Sequence, residues 1–188
     1  EKGAKTLGFQ SDFIHVEKGM SRINVKLKSQ EETEINAMGP EITEGDLRQL
    51  FDKLDGLKEG DVLVLSGSIP KTIGDDVYER IMRRLEGRNI EIAVDATKDL
   101  LLNVLLFHPF LIKPNNHELG EIFGITLQSD EDIITYGRRL QEKGARNVLI
   151  SMAGDGAILI TETKEVYRMG VPEGTVKNSV GAGDSMVA

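Results

Sequence analysis

The sequence predicts an α/β fold built on a mostly parallel, doubly wound sheet, with a small β-hairpin projecting from it. Three observations carry that expectation. Short apolar runs recur at 61–66, 90–94, 110–113 and 147–152, the length and composition of strands. Segments with apolar residues at helical spacing separate them, and strands alternating with helices make parallel sheets with right-handed crossovers. The opening of the chain breaks the pattern, because residues 21–28 alternate apolar and polar with period two.

Taken in order, residues 12–16 are expected to form a short strand and Glu17 to Met20 a turn. In 21–28 the alternation gives a hairpin strand whose apolar face carries Ile23, Val25 and Leu27. Arg22 and Asn24 share the other face, because strand side chains two apart point the same way. Residues 34–38 add a third short strand before Gly39-Pro40. Thr43-x-x-Asp46 has the spacing of a capping box, and Leu47, Leu50, Phe51, Leu54 and Leu57 follow at helical spacing. The run 61–66 is apolar enough for a strand covered on both faces. Val77, Tyr78, Ile81, Met82 and Leu85 mark the next helix, and residues 98–107 a buried one. Residues 117–123 predict a short helix closed by Gly124. Ser129-x-x-Asp132 opens the next helix, which carries Ile133, Ile134 and Leu140 and has Gly144 at its C′ position. Gly154-Asp155-Gly156 is a tight turn, and 157–161 with 165–170 a closing hairpin. Residues 11–38 therefore read as a hairpin or lid element, and 39–188 as the α/β core.

Composition narrows the function. A net charge of −8 over 188 residues argues against a nucleic-acid or anionic-membrane surface. With no cysteine there is neither a disulfide framework nor a thiolate metal site. No apolar run approaches the ~20 residues that span a bilayer, and the expected location is the cytoplasm. Residues 1–10 read as the tail of a helix and a loop, and the chain stops where another helix should start. We expect a part of a longer chain.

The chemistry gathers behind the strands. In open α/β sheets ligands bind outside the carboxyl ends of the strands. Ser66-Gly67-Ser68, Asp95, Lys113-Pro114-Asn115-x-x-Glu118, Ser151-x-x-Gly154-Asp155-Gly156 and Gly181-Ala182-Gly183-Asp184 follow successive elements and open onto that edge. A Gly-Ala-Gly turn lets backbone N–H groups converge on an anion. A carboxylate beside that anion, Asp184, has a use if it takes a proton from an attacking nucleophile. Taken alone, the same residues also make a glycine-rich turn with an aspartate N-cap. Asn115 and Glu118 likewise make a complete helix cap. His15, His108 and His117 lack ligand spacing, and Tyr136 and Met152 read as packing residues.

In these motifs the sequence resembles the PfkB branch of the ribokinase-like sugar kinases. Asn178-Ser179-Val180-Gly181-Ala182-Gly183-Asp184 matches the C-terminal signature of that family, with Val180 where many relatives carry Thr. Lys113-Pro114-Asn115-x-x-Glu118 matches its Asn-Pro-Asn-x-x-Glu motif in the phosphosugar-kinase form. The resemblance covers essentially the whole chain, without the opening βαβ segment and final helices of the family. It implies a ribokinase-like fold and an ATP-dependent transfer of the γ-phosphate to a sugar phosphate. Fructose 1-phosphate, becoming fructose 1,6-bisphosphate, is the expected acceptor, and tagatose 6-phosphate the alternative. By the same resemblance Asp184 is the general base, and Gly181, Ala182 and Gly183 form the anion hole. Arg22, Asn24 and Ser68 hold the phosphosugar beside Asp184. Lys113, Asn115, Ser151, Gly154, Asp155, Gly156 and Gly183 meet the nucleotide, and Glu118 with Asn115 orients Mg²⁺ through water. A homodimer through the hairpin lid is expected. Two rival classes are a sugar-phosphate-binding regulator without turnover and a nucleotide-binding structural domain.

Overall fold

The structure, a computed structural model of the chain, describes residues 6–28, 32–70, 72–176 and 181–187. It divides into two compact units, Glu1–Gly56 with Pro70–Gly74, and Leu57–Ile69 with Asp75–Ala188.

The first unit holds an antiparallel hairpin, β1 (Asn24–Lys28) with β2 (Glu32–Asn36), and helix α1 (Glu44–Asp55). Residues 12–16 are not a strand, which corrects the sequence reading. The partner of β1 is the later segment, with Val25 opposite Ile35 and Leu27 opposite Thr33. The register also sets residue 26 opposite 34 and residue 28 opposite 32. The apolar face is as read: Ile23, Val25 and Leu27, joined by Ile35, all remain exposed. Helix α1 begins at the Thr43–Asp46 capping box, in which Thr43 N–H donates to Asp46 at 2.8 Å and Asp46 N–H to Thr43 Oγ1 at 3.2 Å. Leu47, Phe51 and Leu54 are its buried face. Ile42 N–H donates to Thr72 Oγ1, which ties 70–74 to the approach of this helix.

The second unit is a six-stranded sheet in the order β3 (Val62–Ser66), β4 (Glu91–Asp95), β5 (Leu111–Ile112), β6 (Asn147–Ser151), β7 (Ala157–Ile160), β8 (Val166–Met169). Strands β3 to β6 are parallel, and β7 and β8 return antiparallel as the predicted hairpin. Helices α2 (Val77–Leu85), α3 (Lys98–Val104), α4 (Asn116–Phe123) and α5 (Asp130–Glu142) occupy the parallel connections. They pack in chain order, α2 on α3, α3 on α4 and α4 on α5. All five predicted core residues of α2 are buried. Val148, Ile150, Ile158, Ile160 and Leu140 are fully buried where α5 lies on β6 and β7. Each such side chain is worth about 1.5–3 kcal/mol of burial.

Strand β3 departs from expectation. It is an edge strand with Leu65 buried, while Val62 and Val64 stay 63% and 43% exposed. The apolar run records hydrophobicity, not cover, and here only the Leu65 face is covered. Among the described residues no helix is long and apolar enough to cross a membrane.

Candidate active site

The four parallel strands deliver their following segments to one edge of the sheet, and the register of the ladders decides which of them meet. Ser66 ends β3 directly opposite Asp95 at the end of β4. The β5–β6 pairing continues past both strands: Ser151 N–H donates to Pro114 O at 3.2 Å, and Asn115 bridges Ser151. Lys113 N–H in turn donates to Val94 O at 3.2 Å. The backbone thus fixes Ser66, Asp95, Lys113, Asn115 and Ser151 as a row.

Lys113 is the centre of that row. It is 6% exposed, and its ammonium lies 3.2 Å from Asp95 Oδ1. A methyl group placed on Gly183 would lie 3.6 Å from Lys113 Nζ, so the glycine turn passes against the ammonium. Asp95 is therefore an ion-pair partner. The helix beyond it has Thr97 at its N-cap without a side-chain cap hydrogen bond.

The turn itself is a single helical twist. Gly181 has φ +81°, and Ser185 returns both its N–H and its hydroxyl to Gly181 O, at 3.0 and 2.9 Å. A short 3-10 segment, Asp184–Met186, follows, and Asp184 is exposed at its start. The N–H groups of Ala182 and Gly183 have no acceptor among the described residues. Asn178, Ser179 and Val180 lie outside the described residues.

Asn115 and Glu118 form a reciprocal cap on α4: Asn115 N–H donates to Glu118 Oε2, and Glu118 N–H to Asn115 Oδ1, both at 2.8 Å. Half of the Glu118 carboxylate is thereby committed. Beyond β6, Ala153–Asp155 makes one 3-10 turn, closed by Met152 N–H on Gly156 O at 2.8 Å. Gly156 sits at φ +90°, and any Cβ there would stand 2.0 Å from Met169 O. That glycine lets the end of β8 approach. Gly154 faces open space.

Arg22 and Asn24 belong to the first unit; β1 begins at Asn24, so Arg22 precedes the strand rather than sharing its face, and its Nε donates to Asn24 Oδ1 at 2.8 Å. Ser68 is exposed just beyond Gly67. The packing readings hold: Met152 is buried and Tyr136 stacks against Phe123 at 5.0 Å with Arg139 over its ring.

One residue that the sequence reading placed only on a helix face now stands at the site. Tyr78, 8% exposed, donates its hydroxyl to Gly67 O at 3.1 Å. Burial, and then the charge of Asp95, push its pKa above the usual tyrosine value. Its only trace in sequence is a hydroxyl on an otherwise apolar helix face.

Known proteins resemble this chain in sequence and fold. The chain is 48% identical over 171 residues to a 1-phosphofructokinase of Bacillus subtilis, covering 91% of this chain and 56% of that protein. It is 36% identical over 179 residues to a D-tagatose-1-phosphate kinase of Bacillus licheniformis, covering 95% and 58%. Among solved structures, a Staphylococcus aureus protein described as a phosphofructokinase superposes with a TM-score of 0.84 at 43% identity, over 99% of this chain and 60% of that one. Escherichia coli phosphofructokinase-2 in complex with fructose-6-phosphate gives 0.76 at 25% identity, over 87% and 55%. The chain thus spans between half and two-thirds of the length of each of these proteins. The pfkB carbohydrate kinase family model matches residues 1–188, and the chain belongs to that family, with its ribokinase-like fold.

Proposed function

We propose that this chain carries the phosphoryl-transfer site of an ATP-dependent ketohexose-phosphate kinase, with fructose 1-phosphate as acceptor and its 6-hydroxyl as nucleophile. The observation that carries the proposal is the buried Lys113 ammonium, paired with Asp95 and lying against the Gly181–Gly183 turn. A cation held against a turn with uncommitted backbone donors among the described residues is suited to an anion with several charged oxygens.

In this reading Asp184 takes the proton of the sugar hydroxyl. As that oxygen bonds to the γ-phosphorus, the bond from phosphorus to the β–γ bridging oxygen breaks and ADP leaves with the electron pair. The N–H groups of Ala182, Gly183 and Asp184 meet the charge that spreads over the transferring oxygens, and Lys113 meets nucleotide phosphate. Ser151, Gly154, Asp155 and Gly156 line the nucleotide side. Glu118 keeps one oxygen beyond its cap. Among the described residues no group of three or more His, Asp or Glu could hold a metal by itself. That sparse oxygen set fits Mg²⁺ carried mainly by water and nucleotide phosphate. The ion would neutralise phosphate charge, with Glu118 and Asn115 orienting its water. On the acceptor side, Arg22 supplies a planar cation for the phosphate already on the sugar, and Asn24 and Ser68 supply polar contacts.

The relatives favour the 1-phosphate of a ketohexose, because those at 48% and 36% identity are named for fructose and tagatose 1-phosphates. This differs from tagatose 6-phosphate as the alternative acceptor. The exposed apolar face of the β1–β2 hairpin supports pairing of two lids in a homodimer. We place the enzyme in the cytoplasm, where nucleotide and phosphosugar are both available.

The test is coupled ADP release with fructose 1-phosphate, tagatose 1-phosphate, tagatose 6-phosphate, fructose 6-phosphate and fructose. Turnover greatest with fructose 1-phosphate supports the reading. Turnover with free fructose alone, or with none of the five, overturns it. In the same assay Arg22→Ala should raise KM for the sugar phosphate by roughly one to two orders of magnitude, the worth of a charge-assisted contact, and leave KM for ATP nearly unchanged.

A further inference from the structure

We propose that Tyr78 is a positioning residue that fixes the acceptor loop Ser66-Gly67-Ser68 to the carboxyl edge of the sheet; the inference rests on the kinase reading given above. Among the described residues strand β3 ends the sheet, and the loop that leaves it has one neighbouring strand, β4. At Gly67 the backbone turns at φ +99°, in the left-handed region that favours glycine. The donor that meets the Gly67 carbonyl is the Tyr78 hydroxyl, 3.1 Å between oxygens.

Packing does not ask for this hydroxyl. Tyr78 lies with Val77, Ile81, Met82 and Leu85 on the buried face of α2, where a phenyl ring would fill the same space. The polar end is instead spent on one carbonyl of one loop. Ser66, immediately before that carbonyl, stands opposite Asp95 in the ladder, and Asp95 holds Lys113. The tether therefore sets the distance between Ser68 on the acceptor side and the Lys113–Gly183 contact on the transfer side. Burial and the neighbouring carboxylate also keep the phenol protonated, so it remains a donor throughout the working pH range.

The test is Tyr78→Phe, which removes one oxygen and keeps the ring. KM for fructose 1-phosphate should rise roughly three- to tenfold, the factor that one neutral hydrogen bond commands, with KM for ATP within about twofold. Amide hydrogen exchange at Ser68 and Ile69 should accelerate by a similar factor, while the α2 amides 81–85 are unchanged. Equal increases in the two KM values, or exchange that speeds up throughout α2, would show general loosening and overturn the proposal. Unchanged exchange at Ser68 and Ile69 would also overturn it. If the wild-type protein phosphorylates no sugar phosphate, the kinase reading falls by itself. The exchange comparison then still decides whether Tyr78 holds the loop.

Discussion

Two cations sit at opposite edges of the six-stranded sheet, and they are treated differently. Arg146, just before β6 at the amino edge, donates from Nη1 to Glu91 at 2.6 Å and from Nε to Glu162 at 2.7 Å. Its guanidinium also lies over the Phe110 ring at 5.3 Å. Lys113, just after β5 at the carboxyl edge, is far more buried yet has one carboxylate, Asp95, among the described residues. An ammonium has three donors, and withdrawing it from water costs several kcal/mol unless partners replace the water. Arg146 has spent its fork on the fold. Among the described residues Lys113 keeps donor capacity, beside a glycine turn whose Ala182 and Gly183 N–H groups have no acceptor there. Equal charge at the two edges thus means structure at one, while at the other it supports the proposed anion site.

The largest effect should come from the carboxyl edge. Asp184→Asn is nearly isosteric and removes the proposed base, so steady-state kinetics should show kcat lowered about 10²–10⁴-fold with KM for the sugar phosphate little changed. Near-normal turnover would take Asp184 out of the chemistry. The two cations provide the next contrast. Lys113→Met should weaken ATP binding by roughly 10- to 100-fold in a titration, as loss of a charged phosphate contact implies. Arg146→Met should leave that affinity within about twofold and lower Tm. Equal effects on ATP would erase the distinction.

Much of the scaffold was legible before the structure, because its signals are local. The capping spacing Thr43-x-x-Asp46 and the pair Asn115-x-x-Glu118 both close as reciprocal caps. Gly124 ends α4 in the left-handed conformation at φ +66°. Pairings across the sequence were not legible in the same way. The partner of β1 depended on which of two flanking segments completed the better ladder. The exposure of Val62 and Val64 depended on what lies over β3. Asp95 meets Lys113 across 18 residues and Tyr78 meets Gly67 across 11, and no periodicity encodes either contact. The site residues were found one strand end at a time, and only the sheet register shows which of them touch.

Smaller effects sharpen the contrast from the amino edge. Gln141, 8% exposed, donates to Arg146 O and Thr161 O, each at 2.8 Å. Gln141→Ala leaves both carbonyls without that donor, and denaturant unfolding should register a loss of about 1–3 kcal/mol while both KM values stay put. The smallest effect is a pH dependence. Hydrogen bonding to Arg146, and then its charge, hold the Glu162 carboxyl below its usual 4.5. The unfolded chain therefore takes up this proton first as pH falls. The stabilisation is fully present above the usual value and is lost as pH drops through the lowered one. Urea midpoints of the wild type and Glu162→Gln should accordingly converge as pH falls below the usual carboxylate value, with no matching change in ATP affinity at the other edge.

The most direct measurement is the identity of the product. The protein with ATP, Mg²⁺ and fructose 1-phosphate, followed by ³¹P nuclear magnetic resonance, should build up a second phosphate ester at carbon 6 in step with ADP. ADP accumulating with inorganic phosphate and no new ester, or no ADP at all, would contradict a phosphosugar kinase.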